Sequence, residues 1–257
     1  MKSQAEGPVP PGPPTAPGWG EGMLSYLFPP VCQLCPGERA GRELGYVGPA
    51  CRQAVRWICP PFCQQCGLPF AGEVTTEFAC ANCADERWYF SYARAAVEAK
   101  GPVLEAIHRF KYQRALWFRV WLSELLLSAA SPVLKRDPAG WHGVVPVPLH
   151  PVKRREREFN QAELLGAALA GDLGVRLETG LVHRIHPTET QTTLSREARA
   201  ENVRQAFIGP AGHSLVNRRL VVVDDVFTTG ATTNAVARVL RDAGAAEVVV
   251  WAVARGI

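Results

Sequence analysis

Two groups of residues in this sequence have types and spacings that could do chemistry. Cysteine supplies the first, since all eight cysteines fall between Cys32 and Cys83. Cys63-x2-Cys66 and Cys80-x2-Cys83 are matched pairs with thirteen residues between them. Two such knuckles bring four thiolates to one tetrahedral point, which suits Zn²⁺ with sulfur bonds of about 2.3 Å. Four thiolates leave no open coordination position, so a structural rather than a catalytic zinc is expected. The others, Cys32, Cys35, Cys51 and Cys59, are less regular. Cys32-x2-Cys35 is a good knuckle, but Gly48 stands three residues before Cys51, where the partner pair needs a cysteine. Cys59 can complete the set from the other side. A second zinc held by Cys32, Cys35, Cys51 and Cys59 fits this pattern, and so does a degenerate ribbon held by its apolar residues.

The second group is LVVVDDVFTTGATT, Leu220 to Thr233. An apolar strand ends in two adjacent carboxylates, and Thr228, Thr229, Gly230, Ala231 and Thr232 then turn into a helix N-terminus. Backbone N–H groups at a helix start, with hydroxyls and a small residue that permits close approach, form a site for phosphate. Asp224 and Asp225 are badly placed to meet that phosphate. They are well placed to accept hydrogen bonds from sugar hydroxyls, directly or through the water shell of a metal. Phosphate at one end and vicinal hydroxyls at the other describe a ribose 5-phosphate. A Walker-type loop is excluded, because no Gly-Lys-Ser/Thr follows.

The elements that must position these residues read as α/β. Tyr92–Val97 alternates like a short strand, and Gly101-Pro102 opens a helix. Leu116 to Leu127 supplies a second helix. Val144 to Pro148 is a short buried strand that ends at its second proline. Asn160–Leu173 is a helix capped by Gly174. Leu220–Val223 is a continuous apolar strand, Ala231–Ala243 a helix closed by Gly244, and Glu247–Ala254 a last strand. Strands and helices alternating at these lengths imply parallel pairing through right-handed crossovers.

With 257 residues, 47% hydrophobic and 20% charged, the chain can bury a sizeable core. It has no apolar run of ~18–20 residues, so no membrane-spanning helix and no membrane insertion are expected. Its start has no apolar stretch after the lysine, so a secretory signal is not expected and a cytoplasmic location is. A reducing compartment favours metal-bound over disulfide-bonded cysteine. The net charge of +4 suits phosphate-bearing partners without demanding nucleic acid. Residues 23–90 hold five basic and six acidic side chains, so the cysteine module lacks the footprint of a phosphate-backbone binder.

The loop at Leu220–Thr233 resembles the phosphoribosyl pyrophosphate (PRPP) signature of type I phosphoribosyltransferases. Val145 to Leu165 (VPVPLHPVKRREREFNQAELL) resembles the competence protein F (ComF) family. So does the run Arg184, Thr190, Gln191, Thr192, Leu194, Arg199, Asn202 and Phe207. The resemblance extends over about Tyr26 to Ala254. It implies a double zinc ribbon joined to a type I phosphoribosyltransferase-like domain with a Rossmann-like parallel sheet. The corresponding division is a Pro/Gly-rich disordered tail at 1–22, ribbons at 23–90 with the first degenerate, and the α/β domain at 91–257.

The resemblance further implies that Asp224 and Asp225 face the ribose hydroxyls of Mg²⁺-PRPP and that Thr228 to Thr232 hold its 5-phosphate. Leu149, His150 and Arg154 fall at the pyrophosphate loop, and Arg184 and Arg199 at a mobile loop that closes over the ligand. The function implied is an accessory factor in DNA uptake during natural transformation, working with a helicase that draws single-stranded DNA inward. The alternative is an active phosphoribosyltransferase acting on a nucleobase or other nitrogen acceptor. A third is an interaction module on a retired enzyme fold. Arg154, Arg155 and Arg157, together with the basic-aromatic patch of Arg109, Lys111 and Arg114, are candidates for DNA phosphates or solvated surface. Two positions depart from the family pattern: Gly48 replaces a ribbon cysteine, and Glu158 stands where glycine is usual.

Overall fold

The computed structural model describes residues 30–70, 72, 80–84, 86–186, 206–209 and 214–257. The expected tail at 1–22 lies outside them. The strands are β1 (Ala93–Glu98), β2 (Gly143–Pro146), β3 (His183–Arg184), β4 (Phe207–Ile208), β5 (Arg219–Phe227) and β6 (Glu247–Arg255). The helices are α1 (Pro49–Gln53), α2 (Ala81–Ala84), α3 (Gly101–Tyr112), α4 (Phe118–Leu134), α5 (Pro151–Arg157), α6 (Gln161–Leu173) and α7 (Ala231–Asp242). The main sheet has the order β1-β6-β5-β2, and all its neighbours are parallel.

The continuous apolar runs follow from burial on both faces. Leu220, Val222, Val248 and Val250 pack on the face that carries Val236 and Leu240 of α7. Val221, Val223, Val249 and Trp251 pack on the other, against Trp121 of α4 and Leu165 of α6. The chain therefore leaves β2 for one face and β5 for the opposite face. In such sheets a crevice opens at the carboxyl ends of the strands where the connections diverge.

Both sheet edges are covered by chain that sequence periodicity did not mark. Residues 56–58 run antiparallel along β1, with the Ile58 amide on the Ala96 carbonyl (3.0 Å) and the Glu98 amide on the Arg56 carbonyl (2.8 Å). Residues 176–178 flank β2, bonding to both the amide and the carbonyl of Val144. Each ribbon also shares a hydrophobic cluster with one face of the sheet. Cys32, Val47 and Cys51 pack with the α4 face, and Cys63, Cys66, Cys80 and Cys83 with the α7 face.

Two elements differ from the sequence expectation. The second helix begins at Phe118 and continues to Leu134, seven residues beyond Leu127, with Pro132 in its last turn. Residues 151–157 form a helix of their own, because Pro151 suits the first turn and His150 Nδ1 accepts from the Val152 amide at 3.3 Å.

Candidate ligand site and metal centres

A cavity of about 430 Å³ opens where the ends of β2 and β5 diverge, a size that suits a small ligand. Asp224 and Asp225 both line it and both lie within β5, which runs on to Phe227. The Asp225 amide donates to Asp224 Oδ1 at 2.8 Å, so the two carboxylates are fixed relative to one another. Asp225 is buried and paired with Lys111 Nζ at 2.7 Å. Burial opposes the Lys111 charge, yet Asp225 and Asp224 hold its ammonium above the ordinary lysine value. Burial, joined by repulsion from Asp225, pushes the Asp224 carboxyl up to about 7, with Lys111 offsetting part of the rise.

Next to the carboxylates, Thr228 and Thr232 line the cavity where α7 begins. Thr228 and Thr229 are exposed, and Thr229 Oγ1 accepts from the Ala231 amide at 3.4 Å. Gly230 caps the helix at φ 82°, and a Cβ there would lie 2.6 Å from Phe227 Cζ and 2.9 Å from Trp88 Cζ3. Backbone angle and packing both require glycine. The loop is held from beneath by buried Arg255, which donates to the Phe227 carbonyl at 3.1 Å, to that of Gly256 at 2.7 Å and to that of Thr228. Its other terminal nitrogen reaches Cys66 Sγ at 3.7 Å. Asn234 of α7 fastens the chain leaving the ribbons, accepting from the Tyr89 amide (2.8 Å) and donating to the Arg87 carbonyl (2.9 Å).

Cations reach the same cavity from two helices and a strand: Lys111 from α3, Lys153 and Arg157 from α5, and Arg184 from β3. Burial, with the neighbouring charges of Arg184 and Arg157, holds the Lys153 ammonium below its ordinary value, a strain that a bound anion relieves. Arg157 stacks over Tyr112 at 5.0 Å and donates to Gln161 Oε1 at 3.2 Å. Gln161 also lines the cavity, and its buried Nε2 has no hydrogen-bond partner. That donor suits a phosphate oxygen.

The expected loop residues divide. Leu149 lines the cavity, whereas buried His150 caps α5. Arg154 is exposed and pairs with Glu163 at 3.2 Å, outside the cavity. Arg199 and the run from Thr190 to Asn202 lie outside the described residues. The cations of the basic-aromatic patch go to three places: Arg109 to Glu105 (2.6 Å), Lys111 into the cavity, and Arg114 to Glu158 (3.0 Å). Lys153 and Gln161 carried no individual signal in the sequence, because a charged run does not say which member turns inward.

Cys63, Cys66, Cys80 and Cys83 converge, all buried, with Sγ–Sγ distances of 3.6 Å for Cys66–Cys80, 3.6 Å for Cys80–Cys83 and 3.9 Å for Cys63–Cys83. A tetrahedron of zinc–sulfur bonds of about 2.3 Å has edges of about 3.8 Å, so the cluster suits structural zinc. Burial raises the Cys63 thiol, but the amides of Cys66, Cys80 and Gln65 overcome it and bring the thiol down to about 7. In the first ribbon Cys32, Cys35 and Cys51 converge, with Cys32–Cys51 at 3.7 Å. Cys59 is exposed and stands outside this group.

Residues 23–86 match the double zinc ribbon domain. Competence protein F of Haemophilus influenzae is 31% identical over 204 residues, covering 76% of this chain and 85% of that protein. The chain belongs to the ComF family. Another similar protein is the DNA utilization protein YhgH of Escherichia coli K12, 32% identical over 88% of this chain and 97% of its own length. Among solved structures, the chain is similar to the glutamine PRPP amidotransferase of Bacillus subtilis. That match is 22% identical with a TM-score of 0.34, over 51% of this chain and 25% of that one.

Within the ComF family, the departure at Glu158 leaves the fold intact. Glu158 takes the left-handed conformation (φ 67°) as the C-cap of α5, the position that favours glycine. The next helix still starts normally, because Asn160 accepts from the Ala162 amide at 3.1 Å and donates to the Val147 carbonyl at 3.0 Å. Among the described residues of this ComF protein, no helix is long and apolar enough to cross a membrane.

Proposed function

We propose that this ComF protein binds PRPP or a related ribose phosphate with Mg²⁺ and acts in the cytoplasm as an accessory factor in DNA uptake during natural transformation. One observation carries the ligand half: the cavity gathers two fixed carboxylates, a hydroxyl-bearing helix N-terminus, several cations and the Gln161 Nε2 donor that has no partner. Asp224 and Asp225 accept the ribose hydroxyls, Thr228 to Thr232 hold the 5-phosphate, and Lys153, Arg157, Arg184 and Gln161 meet the pyrophosphate. Mg²⁺ supplies charge neutralisation for the pyrophosphate. The DNA-uptake half rests on the family, whose relatives include a competence protein and a DNA utilization protein. Because Arg109, Arg114 and Arg154 are already paired with carboxylates, a helicase partner supplies most of the contact with single-stranded DNA.

A transferase reading is favoured by one further observation. His108 and exposed Tyr112 line the cavity with their rings 4.7 Å apart, offering a face to a planar acceptor. In that reaction an acceptor nitrogen attacks ribose C1, the C1–oxygen bond breaks, and pyrophosphate leaves with the electron pair.

The test is calorimetry of PRPP with Mg²⁺. Asp224→Asn with Asp225→Asn removes charged acceptors worth about 1.5–3 kcal/mol each, so affinity should fall at least about tenfold. Equal binding by both proteins would assign the carboxylates to the fold alone. Pyrophosphate release in the presence of a nucleobase would favour the transferase.

A further inference from the structure

We infer that the first ribbon holds its own zinc and that Glu38 is the fourth ligand, standing in for the cysteine that Gly48 replaces. Three thiol sulfurs already converge there, at Cys32, Cys35 and Cys51. A carboxylate, Glu38, stands beside these three sulfurs, against Cys35, and has to turn inward to complete the corner. A Cβ built on Gly48 would lie 2.2 Å from Glu38 Oε2 and 2.9 Å from Glu38 Cβ, so the Glu38 side chain occupies the space a side chain at 48 would enter. Its Oε2 lies 3.7 Å from Cys35 Sγ. A tetrahedral zinc with a sulfur bond of about 2.3 Å and a carboxylate bond of about 2.0–2.2 Å has a sulfur–oxygen edge of about 3.6 Å.

Cys59, the remaining candidate for the fourth corner, is exposed, whereas Glu38 is half-buried against Cys35. Glu38 also has a local structural task. Both of its oxygens lie 3.1 Å from the Ala50 amide, at the start of α1, where glycine at the cap provides no acceptor of its own. The two tasks are compatible, because one oxygen can keep the amide while the other turns to the metal. Three thiolates and a carboxylate also give the formal charge of four thiolates. Carboxylate is the harder donor, so this zinc should leave before the one held by Cys63, Cys66, Cys80 and Cys83.

The experiment measures zinc per chain on the full-length protein, together with the rate of zinc loss to a chromophoric chelator. Wild type should carry two zinc ions released in two phases, the faster from the first ribbon. Glu38→Gln keeps an oxygen for the Ala50 amide but loses the anionic ligand, and should retain one zinc ion. Cys59→Ser should retain two. Glu38→Ala with Gly48→Cys rebuilds a four-cysteine set in the vacated space, and should restore two zinc ions with the faster phase slowed at least about tenfold. If Glu38→Gln fails to fold, the zinc content of wild type and of Cys59→Ser still tests the inference. A wild-type content of one zinc ion would overturn the inference. So would two zinc ions in Glu38→Gln with wild-type release, or the loss of one in Cys59→Ser.

Discussion

The two ribbons meet the α/β sheet in opposite ways. The second ribbon packs against backbone: Gly67 (φ 66°) lies so close to β1 that a Cβ would be 2.8 Å from the Ala93 carbonyl oxygen, and the Ala93 amide bonds to the Gln65 carbonyl at 2.8 Å. Through Cys66 and Arg255 it reaches the carbonyls of the ligand loop. The first ribbon packs against the helical face. Arg52 spans from the carbonyls of Leu44 and Val47 to both oxygens of Glu124 on α4, each at 2.9 Å. One ribbon is thus tied to the candidate ligand loop and the other to the scaffold. A cysteine module that reads as a repeat in sequence has two mechanical roles.

The largest effect that tests this contrast comes from breaking each site in turn. Cys66→Ser should lose the second zinc, lower the melting temperature by about 10 °C or more and weaken Mg²⁺-PRPP at least about tenfold. Cys35→Ser should lower the melting temperature while ligand affinity stays within about twofold. Because both ribbons share hydrophobic clusters with the sheet, either variant should unfold in one cooperative transition. Calorimetric melting and ligand titration of both proteins make the check, and equal losses of affinity would erase the distinction.

A sharper cut goes through Arg255. Arg255→Lys keeps the charge but cannot reach three carbonyls and a sulfur at once. Two zinc ions should remain, melting should shift by only a few degrees, and PRPP affinity should fall by about five- to tenfold, the cost of about 1 kcal/mol of lost loop anchoring. An unchanged affinity would mean that the second ribbon acts on the loop by another route, such as Asn234 and the 87–89 segment.

Arg255 also shows what the sequence withholds. The second ribbon, the parallel strands and the threonine loop are all legible, because each depends on residues close together in the chain: CxxC spacing, continuous apolar runs, glycine at a helix start. Arg255 closes an apolar strand and carries no motif. Its role exists only because β6 lies beside β5, with the second ribbon packed near their ends. Lys111 reads as one of three surface cations, and only the helical phase of α3 turns it alone toward Asp225. Glu38 lies ten residues from Gly48, a separation that a ligand count based on cysteines does not span. Tertiary contact, rather than local pattern, brings these three residues to the candidate sites.

A pH titration also compares the ligand half with the first ribbon. The Asp224 carboxyl sits near 7 in the fold against an ordinary 3.8, first because it is buried and then because of Asp225. Between these values the native chain holds a proton that the unfolded chain has released. The contribution of this group to stability therefore falls as pH rises from about 4 to about 7. Ligand binding runs the other way, since ribose hydroxyls donate to the ionised form. Mg²⁺-PRPP affinity should rise from pH 6 to pH 8, with a slope approaching tenfold per unit on the acid side. Cys35→Ser should keep that profile. Asp224→Asn should remove the component due to this carboxylate, leaving the shallower dependence of the phosphates themselves. A wild-type profile as shallow as that of Asp224→Asn would mean that Asp224 is already ionised at pH 6.

The smallest effect belongs to the first ribbon's tie to α4. Arg52→Met preserves most of the aliphatic stem and removes the two-pronged contact with Glu124 along with two carbonyl bonds. Glu124 is 41% exposed and can recover water, so its half of the pair is worth little. The Leu44 and Val47 carbonyls lose a charged donor at the ribbon turn, where the arginine is 20% exposed. Together these should cost about 1–2 kcal/mol, or about 3–6 °C in melting temperature. Both zinc ions and full PRPP affinity should remain. A loss of ligand affinity from this distant cation would show that the scaffold face and the ligand face are mechanically joined through the sheet, and the contrast between the ribbons would then be one of degree.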